Sequence, residues 1–302
     1  MSLQFLVDGT VAGATIGLGA IGVTLTYSIL RFANFAHGEF IAWGAYATLA
    51  ASAAMGLLVG HATPPLGPFS FTWLTLCAAV IAMGFTGGLA LGLDWLLFRR
   101  LRDKGESIIA IMASFGASMA LRSLLEALFT AQPTYFTRAL QIARPLGFGL
   151  RATPNQMVLV VLAGLLMIGV HLFMTRTATG RGMRAVSENP TLARVAGIDV
   201  TRVIRITWMI GGALACASGV VVGLLVQVRP FMGFDLLLPL FAAAILGGIG
   251  SVPGAVVGGF TVGLAEAAAV AFVGAQWRGA VAFAVLIAVL LVKPAGLFGR
   301  RA

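Results

Sequence analysis

The stretch NQMVLVVLAGLLMIGVHLFMT, residues 155–175, contains no Asp, Glu, Lys or Arg over 21 positions. A helix of about 20 apolar residues crosses the hydrocarbon core of a lipid bilayer. The stretch therefore predicts a membrane-spanning helix. The residue that follows it, Arg176, begins a strongly basic segment.

Eight similar apolar stretches lie on both sides of this one. The nine candidate segments are residues 9–30, 38–58, 71–98, 106–130, 155–175, 204–228, 235–249, 255–274 and 279–293. The segments at 235–249 and 279–293 are short, so each is either tilted, broken or re-entrant. We expect an all-α membrane helix bundle of eight or nine spanning segments, forming a single domain over residues 1–302.

The amino-acid composition indicates that most of this chain is surrounded by the lipid bilayer. Hydrophobic residues make up 59% of the sequence, charged residues only 10%, and the mean hydropathy is +0.99. Soluble domains contain about 25% charged residues, so this chain cannot cover itself with a solvated surface. The N-terminal stretch MSLQFLVDGT has no positive region of the kind that starts a signal peptide, so we expect no removable leader.

The net charge of +10 does not indicate a nucleic-acid partner. The positions of the basic residues along the chain instead predict how the protein is oriented in the membrane. With the N-terminus outside and the C-terminus in the cytoplasm, fourteen Arg and Lys residues fall on the cytoplasmic side and five outside. The fourteen are Arg31, Arg99, Arg100, Arg102, Lys104, Arg176, Arg181, Arg184, Arg194, Arg202, Arg205, Lys293, Arg300 and Arg301. The five are Arg138, Arg144, Arg151, Arg229 and Arg278. Basic residues are retained on the cytoplasmic side, so we predict this orientation for a multi-pass protein of a bacterial-type inner membrane.

Several kinds of chemistry are absent from the sequence. A nucleotide-binding P-loop needs GxxxxGK[ST], and neither lysine of the chain, Lys104 or Lys293, follows a glycine. There is no HExxH or GxSxG motif, and Cys77 and Cys216 are far apart without CxxC spacing. We therefore predict no catalytic residue, no metal site and no cofactor. Any ATP hydrolysis must occur in another polypeptide.

The basic connection from Thr175 to Arg205 is the most informative loop. In its core, residues 183–196, apolar residues alternate with charged ones, which is typical of a short amphipathic helix at a membrane surface. The apolar positions are Met183, Val186, Leu192, Val195 and Ala196. The pair Asn189-Pro190 breaks that helix or starts a second one. The residues alone leave two interpretations open, adhesion to anionic lipid or docking onto a partner subunit.

Three stretches together resemble a known family. GRGMRAVSENPTLARVAGID, residues 180–199, resembles the cytoplasmic loop of permeases of the branched-chain amino acid ABC-importer family, of the LivH type. LRFANFAHGEFIAWGAY, residues 30–46, and LLLPLFAAAILGGIGSVPGAVVGG, residues 236–259, resemble the same family. Their order and spacing fit, and the hydrophobic layout matches over nearly the whole chain.

The resemblance implies a fold similar to that of the cobalamin-importer permease, with one N-terminal helix fewer. It also implies that residues 176–203 form a coupling loop that receives motion from a separate ATPase. The implied coupling residues are Gly182, Glu188, Asn189, Ala193 and Gly197. The implied partners are a second, similar permease in a heterodimer, two ATP-binding subunits and a periplasmic solute-binding protein.

The solute expected from the resemblance is a branched-chain amino acid. Permeases of the same family for urea, short amides or other amino acids are alternatives. A different class, an ion-coupled secondary transporter, would use the carboxylate of Glu266, Glu126, Glu39 or Asp94. The long basic loop counts against this class, because a self-sufficient carrier needs no docking helix.

Polar groups between the first two segments are candidates for the pathway or its gate. Asn34, His37 and Glu39 lie close together in sequence, and such groups are costly in lipid unless they face a cavity or pair with each other. They predict either a hydrogen-bonded turn or a polar lining of the inner gate. His37 and Glu39 are two positions apart, so they would not share a helix face.

Two further features are candidates for the same role. Gly247 and Gly248 begin the stretch GGIGSVPG, which is either a tight turn or a break in a helix near a binding site. Glu266 has no cation within four positions on its own helix. It is interpreted as a pathway or gate residue, as a partner of Arg122 on another helix, or as a protonated acid.

Overall fold

Long apolar helices form nearly the whole fold, as the hydropathy pattern predicts. The computed structural model describes residues 3–59, 64–102, 107–137, 141–147, 149–293 and 295–299. Its helices are α1 Gln4–Leu30, α2 Ala36–Val59, α3 Trp73–Leu93, α4 Arg99–Arg102, α5 Ser107–Phe129, α6 Pro154–Arg176, α7 Ala178–Glu188, α8 Pro190–Val195, α9 Val200–Leu225, α10 Met232–Gly247, α11 Val252–Phe272 and α12 Arg278–Val292. A π-helical turn joins α3 to α4, and a 3-10 turn precedes α12. The strands β1 Arg144–Gly147 and β2 Leu150–Ala152 form an antiparallel hairpin that the sequence did not predict.

Eight helices in the described part of the chain are long and apolar enough to cross a membrane. The one remaining predicted segment, residues 235–249, corresponds to α10, which has 16 residues. The prediction of an all-α bundle with eight or nine spanning segments is therefore confirmed. The last segment is longer than expected, because the 3-10 turn extends it to 18 residues, Ala275–Val292. Four basic residues used for the orientation, Lys104, Arg138, Arg300 and Arg301, lie outside the described residues.

Helix α1 lies at the centre of the bundle and packs closely on α11. Glycines at Gly9, Gly13 and Gly17 face Gly259 and Gly263 across this contact. A Cβ atom on Gly13 would lie 2.7 Å from the Cα of Phe260, so a larger residue cannot be accommodated without separating the helices. Small residues spaced in this way let helix backbones approach in lipid. These glycines therefore allow α1 and α11 to pack in close contact.

At the end of the bundle where α1 begins, side chains tie the chain segments together. The Gln4 amide donates to the Arg151 carbonyl at 2.8 Å and accepts from the Arg151 N–H at 3.0 Å, which holds β2 against α1. Thr153 and Gln156 then form a reciprocal capping box that starts α6. This hairpin is therefore a fixed part of the bundle end.

Two helices begin within the bundle rather than at its ends. After α1 ends, Arg31 adopts a left-handed conformation with φ 59°, and the chain returns along the bundle to start α2. His37, the second residue of α2, packs against Gly22, which lies eight residues, or about 12 Å of helix, before the end of α1. The start of α10 meets the start of α2, where a Cβ on Gly38 would come 2.7 Å from the Gly233 carbonyl oxygen. This contact places the first turns of α2 and α10 side by side inside the membrane-spanning part.

Candidate functional site

The basic loop folds into two short helices that meet at Asn189. Thr177 caps α7, its hydroxyl accepting from the Gly180 N–H. The Asn189 side chain accepts from the N–H groups of Thr191 and Leu192, both at 3.0 Å, and Pro190 occupies the first position of α8. The predicted break at Asn189-Pro190 is confirmed, because Asn189 favours the helix N-cap and proline fits the first turn.

The apolar residues of this loop do not share one face. Met183 and Val186 of α7 are buried, with Gly182 beside Val203 and Ile198 of the core. On α8, Leu192 and Val195 are 65% and 83% exposed. The implied coupling residues are accordingly divided. Gly182 and Ala193 are buried, whereas Glu188, Asn189 and Gly197 are exposed, Gly197 at φ +83°.

Arg31 links this loop to the helix core. Its guanidinium donates to the carbonyl oxygens of Ser187 at 3.4 Å and Glu188 at 3.2 Å. These carbonyls belong to the last turn of α7, where a helix has unpaired acceptors and its dipole favours a cation. The contact therefore joins the α7–α8 junction to the residue that leads from α1 to α2.

Asn34 and His37 occupy the start of α2. The Asn34 side chain accepts from the Ala36 N–H at 3.1 Å, and its amide nitrogen has no hydrogen-bond partner among the described residues. The buried His37 ring faces Gly19 and Gly22 of α1. Its nearest polar group is the Gly19 carbonyl, but neither ring nitrogen meets full hydrogen-bond geometry with a described residue. Asn34 thus starts the helix, while His37 packs on α1.

Glu39 faces α5 and forms a buried ion pair. Its Oε1 accepts from the Ser118 hydroxyl at 3.0 Å and from the Arg122 guanidinium at 2.5 Å. The Arg122 guanidinium also lies over the rings of Phe231 and Phe234, 4.4 and 4.7 Å from their centroids. His37 and Glu39 point to different neighbours, which confirms that they do not share a face. We name Glu39, Ser118, Arg122, Phe231 and Phe234 the charged cluster.

Glu266 pairs with Arg278 and not with Arg122. The distance from Arg278 Nε to Glu266 Oε2 is 2.7 Å, and Glu266 is 2% exposed. The suggested partner, Arg122, is already engaged by Glu39. That pairing was wrong because sequence spacing does not reveal which helices are neighbours. The contact found favours a pair that fastens α12 to α11, and a pathway role for Glu266 stays a prediction.

The glycine-rich stretch at 247–254 is a tight turn between two antiparallel helices. Gly248 and Gly250 have φ of +95° and +88°, which favours glycine. The Gly250 N–H donates to the Thr24 hydroxyl at 2.8 Å, and Phe298 N–H donates to the Gly247 carbonyl at 3.0 Å. The tight-turn interpretation is confirmed, and the turn is fastened to α1 and to the C-terminal segment.

Comparison with known proteins identifies the family. The family described as "Branched-chain amino acid transport system / permease component" matches residues 5–290. The chain belongs to this family. It is 34% identical to the high-affinity branched-chain amino acid transport system permease protein LivH of Escherichia coli strain K12, over 99% of this chain and 96% of LivH. It is 33% identical to the permease protein BraD of Pseudomonas aeruginosa, over the same shares of both chains. Among solved structures, PsaBC from Streptococcus pneumoniae in complex with Fab contains a chain with a TM-score of 0.48 and 15% identity, covering 98% of this chain and 94% of that one.

Sequence reasoning missed most of the charged cluster in this permease. Glu39 is predicted as a pathway candidate, but Arg122 is considered only as a partner of Glu266, and Phe231 and Phe234 give no signal in the sequence. An arginine inside an apolar segment was itself the signal, since such residues rarely lack a functional or structural partner. Arg31 is used only for the orientation, although its guanidinium forms hydrogen bonds that join the end of α7 to the start of the connection between α1 and α2.

Proposed function

We propose that this permease is the translocation subunit of a binding-protein-dependent ABC importer that carries branched-chain amino acids across a bacterial inner membrane. Support comes from the full-length similarity to LivH and BraD. The partners would be a second, similar permease, two ATP-binding subunits and a periplasmic solute-binding protein. ATP hydrolysis would occur in the ATP-binding subunits, since this chain has no P-loop sequence.

The N-terminus would face the periplasm and the C-terminus the cytoplasm. The distribution of Arg and Lys supports this orientation, since fourteen of the basic residues then lie on the cytoplasmic side. It places α7 and α8 in the cytoplasm and the β1–β2 hairpin in the periplasm.

Residues 176–203 would be the coupling loop, and the Arg31 contact is the observation that carries this assignment. A loop that only rests on lipid needs no fixed connection to the core. Here the α7–α8 junction is joined through Arg31 to the chain that starts α2. Leu192 and Val195 project from α8 with large exposed areas, which suits insertion into an ATPase cleft.

The proposed mechanism is alternating access. Closure of the ATPase pair on ATP would push the α7–α8 junction, and Arg31 would pass that displacement to residues 32–35. These residues lead directly to Asn34, His37 and Glu39 at the start of α2. A movement at the loop would thereby reach groups inside the membrane, which a rigid helical element can transmit.

The test is a mild-detergent affinity purification of the chain from its native membranes, with partners identified by mass spectrometry. Recovery of P-loop ATPases and a second permease, followed by ATP-dependent leucine uptake in proteoliposomes with the cognate binding protein, is the expected result. Purified chain that takes up solute without ATP, driven by an ion gradient, would overturn the proposal in favour of a secondary transporter.

A further inference from the structure

The charged cluster has features that a purely structural ion pair does not need. Glu39 is fully buried and Arg122 nearly so, yet each keeps one buried polar atom without a hydrogen-bond partner in the described chain, Glu39 Oε2 and Arg122 Nε. Burying such atoms is costly unless a partner is supplied at some stage. The pair thus retains one acceptor and one donor for a further ligand.

The cluster lies at a face that is open to solvent or to a partner. Phe231 and Phe234 cover the Arg122 guanidinium and are themselves 49% and 41% exposed. Beside them, Arg229 and Asp235 form an ion pair at 2.7 Å in which both side chains are about half exposed. Charged groups in membrane segments face a bundle interior or a water-filled cavity rather than lipid. The face formed by the start of α10 and by α5 therefore borders a polar space.

The chemistry of the cluster is complementary to an α-amino acid. A carboxylate with a free oxygen accepts hydrogen bonds from an ammonium group, and a guanidinium with a free N–H donates to a carboxylate. The two phenylalanine rings next to these charges offer apolar walls for an aliphatic side chain. One site thus contains a contact for each of the three parts of a branched-chain amino acid.

We propose that Glu39 and Arg122 bind the ammonium and carboxylate groups of the amino acid during its passage through the permease, behind a gate formed by Phe231 and Phe234. In the structure the two rings lie over the Arg122 guanidinium, and in this proposal their displacement exposes the ion pair to the polar space. This inference rests on the proposed function, because it requires an amino-acid solute.

The contact between the first turns of α2 and α10 explains how the gate residues move relative to the ion pair. Gly38 and Gly233 bring the first turns of α2 and α10 into backbone contact, so that Glu39 and the gate residues sit on two helices that touch at this point. The α2 start follows the residues that Arg31 joins to the coupling loop. A shift of α2 relative to α10 changes the distance between the ion pair and the phenylalanines without unfolding either helix.

The deciding experiment uses the double variant Glu39→Gln/Arg122→Gln in the complete reconstituted transporter, with leucine-loaded binding protein in excess. Replacing both partners of a buried ion pair leaves no isolated charge and is often tolerated structurally, so a purely structural pair predicts normal leucine uptake. Binding of the solute by this pair predicts a loss of roughly tenfold or more in uptake rate, because charge-assisted hydrogen bonds to the solute disappear.

The matched control is Asp94→Asn/Arg102→Gln, which neutralises another partly buried ion pair, at the junction of α3 and α4, joined at 2.6 Å. It should retain uptake. Melting temperature and recovery of the ATPase subunits are measured for both variants, and binding-protein-stimulated ATPase activity shows that the importer itself is intact. A folded, ATPase-active Glu39→Gln/Arg122→Gln transporter with wild-type leucine uptake would overturn the inference while leaving the proposed importer function standing.

Discussion

The contact between α1 and α11 allows a quantitative prediction from a single glycine. A Cβ on Gly13 would lie 2.7 Å from the Phe260 Cα and 3.2 Å from the Gly259 carbonyl oxygen. Carbon atoms in ordinary contact are about 3.5–4.0 Å apart, so even this one atom requires the helices to separate by about 1 Å.

We expect Gly13→Leu to destabilise the protein by about 3 kcal/mol, the upper part of the range for overpacked cores. For a chain of this size the melting temperature should fall by roughly 6–12 °C. The assay is fluorescence-detected thermal unfolding of the purified protein in detergent, followed by size-exclusion chromatography to record aggregation.

The matched control is Gly169→Leu, within α6, where a Cβ would have no atom within 4 Å. Both substitutions add the same side chain to a glycine inside a membrane-spanning helix, so their difference reports packing alone. A Gly13→Leu protein that melts at the temperature of Gly169→Leu would refute the close α1–α11 contact.

Three further predictions concern coupling and the second buried ion pair. Arg31→Ala should keep the complex assembled but reduce the amount of leucine transported per ATP hydrolysed several-fold, and Arg31→Lys should restore part of this ratio. A ratio that Arg31→Ala leaves unchanged in proteoliposomes would exclude Arg31 from the coupling path. Gly197→Val should strain a residue at φ +83° and uncouple ATPase activity from uptake by about tenfold, with membrane insertion intact; normal uptake would remove the case for the loop. Glu266→Gln should lower stability by about 1 kcal/mol through its hydrogen bond to Arg278 and leave uptake unchanged, whereas lost uptake with unchanged melting would place Glu266 in the pathway.

The sequence predicted correctly those features that depend only on interactions between residues close together in the chain. The helix break at Asn189-Pro190 follows from one capping side chain and one proline ring, and both act within three residues. The same holds for the separate faces of His37 and Glu39, which follow from helix geometry. The β1–β2 hairpin had no comparable signal, because its strands are short and lie among charged and turn-forming residues.

Local sequence patterns did not reveal which charged residues on different helices form ion pairs. Glu39 and Arg122 are 83 positions apart, and Glu266 meets Arg278 from the following helix. The helices that separate or join these residues are all similarly apolar, so hydropathy does not distinguish one neighbour from another. The wrong pairing of Glu266 with Arg122 is the direct consequence.

The sequence by itself determined that this chain is a membrane protein with eight or nine apolar segments, where the basic loop breaks and which family the chain belongs to. These properties depend on the composition of 20-residue windows and on short motifs. Only the tertiary structure decided which charges meet, that α2 and α10 start side by side inside the bundle, and that Arg31 contacts the junction of α7 and α8. The reason is physical: in lipid, helix association depends on the close fit of small residues and on individual polar contacts, and both are properties of helix pairs rather than of any one segment.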